Sequence, residues 1–208
     1  MSDSLTALRG RWRTENVLEI NQILDRYFPS RAMNRYDLTL PSVVGVCGGR
    51  RDLRGFPLQA AVNRYTVTGV DMSGITLHGH AQLGPVSSFE NCLFVGADLR
   101  TNVCHEFLHS SFVRANLSRA VLGRLYEDCD FTRATLAYTL SGQATFRRCS
   151  FANARLTGAM LTHCRFEDCT FTGAVFGAGS MAGSHFVRSG VRPETLGNTI
   201  IDAVRFEE

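Results

Sequence analysis

A chain of 208 residues with 44% hydrophobic residues is enough for one medium domain or one repeat array, and its net charge of +3 is too small to mark a nucleic-acid-binding protein by itself. No apolar run reaches the roughly 18 residues that cross a bilayer as a helix, and the opening MSDSLTALRGRWRTENV holds no apolar signal core, so no membrane partner is expected. The 7 cysteines are odd in number and follow no secretion signal, which points to reduced thiols in a cytoplasm.

The first predicted element is an amphipathic helix over residues 14–28, TENVLEINQILDRYF, within an N-terminal helical segment at 1–36. Thr14 is placed to cap it and Pro29 to end it. Val17, Ile20, Leu24 and Phe28 fall on one stripe, with Ile23 and Tyr27 beside it. Residues 37–64 carry no clear period and read as an irregular segment leading into the first coil. Within it, Gly48 and Gly49 precede Arg50 and Arg51, a turn by default and an anion site as the alternative.

From residue 65 to 190 a period of five takes over. Stepping by five from Tyr126 to Phe186 meets a large apolar residue everywhere except Ser141, and the residue two before each later position is small. Helices space apolar residues by 3 and 4 and strands by 2, so neither explains the pattern. A backbone that turns about 90° every five residues does. Four segments then close a square coil of about 20 residues, and the next coil stacks about 4.8 Å above. Each face should therefore keep its own residue type. The first face reads Phe89, Phe107, Tyr126, Phe146, Phe166, Phe186, and the second Phe94, Phe112, Phe131, Phe151, Phe171. The third reads Leu99, Leu117, Leu136, Leu156, Phe176, and the fourth Leu122, Ser141, Leu161, Met181. The spacing shortens to 18 between Phe89 and Phe107 and to 19 between Phe107 and Tyr126, both on the fourth face or its corners. An earlier coil fits at Val67, Met72 and Leu77, giving six to seven coils and a rod of about 30 Å. Residues 191–208 keep the period through Val191, Leu196, Ile201 and Phe206. Glu194 would then occupy a small inward site beside Pro193, so this segment reads as a modified coil or cap.

Units such as GADLR at 96–100, RANLS at 114–118, DCDFT at 128–132, RATLA at 133–137, NARLT at 153–157 and DCTFT at 168–172 resemble the pentapeptide-repeat family. The resemblance implies an all-β solenoid, a right-handed quadrilateral β-helix of pentapeptide repeats with an N-terminal α-helix, often as a homodimer. It also implies a protein partner rather than direct nucleic-acid binding. For one group of the family that partner is a type II topoisomerase, DNA gyrase or topoisomerase IV, protected from toxins or quinolones in self-resistance. That group resembles DNA in size and negative charge. Here residues 87–190 hold ten arginines against eight acids, which is not the charge of a DNA mimic.

Cys92, Cys129, Cys149, Cys164 and Cys169 all fall on small inward positions, where a free thiol packs as a small hydrophobe. Cys47 and Cys104 lie off the pattern. Cys104, His105 and His109 are the densest group of potential metal ligands, but C-H-x-x-x-H suits zinc on a helix and here falls in a β-coil. No metal, cofactor or catalytic set is assigned, and no nucleotide or hydrolase motif occurs. An enzyme or pathway accessory with a site at the irregular edge, around Arg50, Cys104, His105 and His109, is one alternative reading. A dimeric structural scaffold is the other. Outward charges 20 residues apart, Asp128, Arg148, Asp168 and Arg188, with Glu127, Arg147 and Glu167 beside them, predict a vertical ladder of alternating sign. Beside the fourth face, Val121, Leu140 and Met160 precede inward positions and point outward, with Tyr138 near. Such an apolar strip is expected to carry either the N-terminal helix or a partner, including a second copy. Ser141 is a poor core residue, so an exchange that turns Leu140 inward is the local alternative.

Overall fold

The computed structural model describes residues 4–25, 35–84, 86–100, 102–103 and 106–208. It is a right-handed quadrilateral β-solenoid. Nine strands stack on the first face, from Tyr36–Asp37 to Arg205–Glu207, each parallel to the next. Six more stack on the fourth face, from Ala61–Val62 to Met160–Thr162. The second and third faces continue as single bridges, such as Ser111↔Asp130 and Asn116↔Thr135. Parallel strands of adjacent coils meet in the register that the spacing implied: Phe89 faces Phe107, Phe107 faces Tyr126, and Val67 faces Phe89.

The ladders extend beyond residues 65–190 at both ends. Tyr36 pairs with Tyr65, Pro57 with Thr76 and Ala61 with Gln82, so residues 36–62 already form a coil. Its period is hidden because an antiparallel hairpin, Val46–Cys47 with Arg50–Asp52, is inserted in it. At the other end Phe186 pairs with Phe206 and Ser180 bridges Ile200, while a 3-10 turn at Pro193–Leu196 leaves Glu194 exposed and buries Leu196. The result is about eight turns and about 40 Å of rod at β-ladder spacing, longer than six to seven coils.

The axis is filled as the columns predict. Phe112 and Phe131 stack at 4.8 Å and 6° between planes, Phe131 and Phe151 at 5.0 Å and 4°, and Phe151 and Phe171 at 4.9 Å and 1°. The first-face column meets this one edge-on, as in Phe146 against Phe151 at 71°. Offset stacks and edge contacts of this kind each add about 0.5–1.5 kcal/mol beyond area burial. Tyr126 is the one tyrosine in the aromatic columns. The chain loses a residue between Leu122 and Tyr126, and there the Gly123 N–H donates to the Tyr126 hydroxyl at 3.0 Å.

Two helices precede the coils: α1, Leu5–Gly10, which the periodicity did not announce, and α2, Thr14–Leu24. Arg13 rather than Thr14 stands at the N-cap of α2, and no side chain caps it. Tyr27, Phe28 and Pro29 lie outside the described residues. The helices close the open end of the stack. Ile20 and Leu24 are buried, Asn21 Oδ1 accepts from the N–H groups of Gln59 and Ala60 at 2.8 and 3.0 Å, and Tyr65 donates its hydroxyl proton to the Ile23 carbonyl at 2.6 Å. Trp12 stands edge-on to Phe56 at 5.1 Å. At Gly55, with φ of 67°, a Cβ would lie 2.8 Å from the Leu8 backbone, so α1 needs glycine there. A capped end hides ladder groups that would otherwise recruit another strand.

Candidate functional site

The fourth face carries the apolar strip. In its ladder Val121 pairs with Leu140 and Leu140 with Met160, while Ser180 then bridges Ile200. Val121 is 45% exposed, Leu140 48%, Met160 42% and Ile200 54%. Tyr138, 58% exposed, occupies the preceding corner in the left-handed conformation, and its ring lies over Gly158, where a Cβ would be 2.5 Å away. Ser141 is buried beside Leu161 and Leu140 stays outside, so no exchange occurs. Its buried Oγ has no hydrogen-bond partner among the described residues. The N-terminal helix caps the end of the rod, so α2 does not cover this strip. The column parallel to it is built of Gly142 and Thr162, which keeps the surface flat.

The corner after the first face carries the charge ladder. Asp128, Arg148, Asp168 and Arg188 all adopt positive φ, which turns the chain sharply at each corner. Arg148 forks onto Asp128 at 2.8 and 2.9 Å and also reaches Glu127. Arg188 repeats this one coil on, with Asp168 at 2.7 and 2.8 Å and Glu167 at 3.1 Å. Forked donors holding carboxylates favour the ionised acids. Hydrogen bonds from Arg148 therefore hold Asp128 below the usual carboxylate range, and Arg165 with Arg188 does the same for Glu167.

His109 belongs to this corner column: its Nδ1 lies 3.5 Å from Asp128. Cys104 and His105 lie outside the described residues. Arg50 follows the Gly48–Gly49 turn, whose two positive φ values suit a tight hairpin, and its Nε donates to the Asn91 carbonyl at 3.1 Å. Among the described residues no group of three or more His, Cys, Asp or Glu side chains is placed to hold a metal. Cys92, Cys129, Cys149 and Cys169 each donate to the carbonyl of the inward residue in the coil below, at 3.4 Å. Burial pushes the Cys92 thiol up to about 12 and raises Cys149 as well. An open hollow of about 520 Å³ lies near the last coil, lined by Phe171, Arg188, Val191 and Thr195, but Arg188 is already tied to Asp168.

One charged cluster escaped the sequence reading. Asp52, its side chain 9% exposed, is held by Arg11 at 2.6 Å and by Arg54 at 2.9 Å. Burial opposes its ionisation, but these hydrogen bonds outweigh that and keep the carboxyl well below the usual range. Arg11 also lies over the Trp12 ring at 4.6 Å. The cluster ties the N-terminal helices to the first coil, so it is part of the cap. Asp52 stands in the ladder column of Asp71, but Arg11 lies outside the coils, so the repeat gives no sign of the cluster.

The molecule is a square solenoid with inward aromatic and small residues and a non-enclosed outer surface. Residues 142–177 match the family of pentapeptide repeats, in 8 copies. The chain carries pentapeptide repeats. A trypsin-treated variant of QnrB1, a plasmid-mediated fluoroquinolone resistance protein, is similar in structure at a TM-score of 0.52 and 12% identity, over 76% of this chain and 80% of that one. HetL, a pentapeptide-repeat protein involved in heterocyst differentiation regulation from the cyanobacterium Nostoc sp. strain PCC 7120, aligns at 16% identity and a TM-score of 0.31, over 74% and 82%. The likeness to the QnrB1 variant, at 12% identity, speaks to fold alone. No curated protein matches the sequence. Among the described residues no helix is long and apolar enough to cross a membrane.

Proposed function

We propose that this chain is a non-catalytic rod for protein recognition, and that its contact surface is the fourth face. One observation carries the reading. Val121, Tyr138, Leu140 and Met160 stand exposed on one flat strip, while the helix that is the natural cover for it is engaged at the end of the rod. Rigid ladders with short outward side chains suit binding across an extended surface. A contiguous apolar patch on a soluble surface usually marks a contact. The fold likeness to a fluoroquinolone resistance protein supports a type II topoisomerase as the first partner to test.

The assay is supercoiling by purified DNA gyrase, with and without a fluoroquinolone, at micromolar concentrations of this protein. Rescue or inhibition by the wild type, lost on Leu140→Asp or Met160→Asp with unchanged melting, is the expected result. No effect of the wild type removes a topoisomerase as partner. Solution mass checks self-association: a dimer that both aspartate variants dissociate would make a second copy the occupant of the strip.

A further inference from the structure

The two sides of the rod treat charge differently. In two columns of the first face and its corner, arginines and acids alternate from coil to coil and are paired, as Arg148 is with Asp128. The rest of each coil runs from the inward phenylalanine of the second face through the third and fourth faces, at residues 112–124, 131–143, 151–163 and 171–183. Those four stretches contain no aspartate or glutamate, yet they carry Arg114, Arg119, Arg124, Arg133 and Arg155. All five are exposed, and none makes an ion pair among the described residues. The backbone brings them together. Arg114 and Arg133 occupy the same corner in successive coils, both at positive φ, with the Arg114 N–H bonded to the Thr132 carbonyl next to Arg133. Arg155 bridges the Thr135 position one coil above on the third face. Arg119 sits one coil below Tyr138 at the corner that opens the apolar strip.

Like charges stacked on adjacent strands are unfavourable. The same chain avoids them one face away, by alternating Glu127, Arg147 and Glu167. Arg114 stacked under Arg133 at one edge of the third face, with Arg155 on that face and Arg119 at the corner next to exposed Val121, Leu140 and Met160, is therefore a surface awaiting its counter-charge. We infer that the third and fourth faces together bind an acidic protein surface with an apolar centre, its carboxylates on Arg114, Arg119, Arg133 and Arg155 and its apolar side chains on the Val121–Met160 strip. The inference rests on the fourth face being a protein-contact surface. Guanidinium forks match carboxylates in bidentate geometry. Duplex DNA would satisfy the arginines but would leave the apolar column against phosphates, so an acidic protein fits better than nucleic acid.

The test uses the full chain and three labelled probes at low ionic strength: a short amphipathic peptide of leucine and glutamate, the same peptide with glutamine for glutamate, and a short DNA duplex. The variant is Arg114→Asn, Arg133→Asn and Arg155→Thr. These residues already occupy the same columns at Asn153 and Thr135, so the corner conformation is retained, and an unchanged melting curve checks it. The glutamate peptide should bind about tenfold tighter than the glutamine peptide, and added salt and the triple variant should both erase the difference. Equal binding of the two peptides overturns the charge inference and leaves the apolar strip as the contact. Tighter binding of the duplex, or no binding of either peptide, overturns the inference as well.

Discussion

At the residue scale, the molecule rests on two inward positions per five, one large and one small. Phe131 is fully buried between Phe112 and Phe151, with ring centroids 4.8 and 5.0 Å away. Phe131→Ala should cost about 3–5 kcal/mol in denaturant unfolding, because stacked coils cannot close around the cavity. The small inward thiols should be inert. Cys92 is buried with its pKa near 12, whereas Cys47 is exposed on the hairpin. Native alkylation near neutral pH should modify Cys47 quickly and leave Cys92, Cys129, Cys149, Cys164 and Cys169 protected until unfolding, read by mass spectrometry. These roles were legible in the sequence, because the axis of the coil admits only one size at each position. The unpaired arginines were not. Arg114 and Arg133 stand on the corner position, which faces solvent and is free of packing constraint, so only their alignment 19 residues apart hints at a column.

At the scale of elements, the N-terminal cap is a part that acid should loosen. Asp52 ties the N-terminal helices to the first coil through Arg11, while Arg54 holds the same carboxylate from within the coil. Its folded pKa lies below the unfolded value of 3.8, so it stabilises the protein above that value and the contribution disappears as pH falls below it. Asp128, Glu167 and Asp168 titrate in the same direction on the ladder. Asp52→Asn should lower stability by about 2–3 kcal/mol near neutral pH and flatten the acid limb of the stability curve, measured by urea unfolding across pH. The repeat columns of the middle coils could be read from spacing alone, and the register of Phe107 and Tyr126 is where the shortened spacings place it. The first and last coils could not. A hairpin between Tyr36 and Tyr65 and a 3-10 turn at Pro193–Leu196 break the count of five while the ladder continues through them. The cap obeys helix rules and close packing at Gly55, neither of which has the period of the coils.

At the scale of the whole molecule, the rod has two unlike sides. The first face is a closed system of aromatic stacks inside and paired charges outside, and it accounts for stability. The third and fourth faces leave arginines unpaired and apolar side chains exposed over the same coils. Position of the strip was legible from the rule that residues preceding inward sites face outward. Its freedom from α2 was not, since two sites for an amphipathic helix satisfy the same apolar stripe, and the hydrogen bonds of Asn21 and Tyr65 at the end of the rod decide between them. The most direct measurement replaces Leu140 and Met160, and separately Thr145 and Arg147 on the first face, with a photo-activated aromatic residue in cells that make the full chain. Irradiation should join positions 140 and 160 to a second protein and leave 145 and 147 unjoined. Adducts from the first face alone, or none from the fourth, would contradict the assignment of the contact surface.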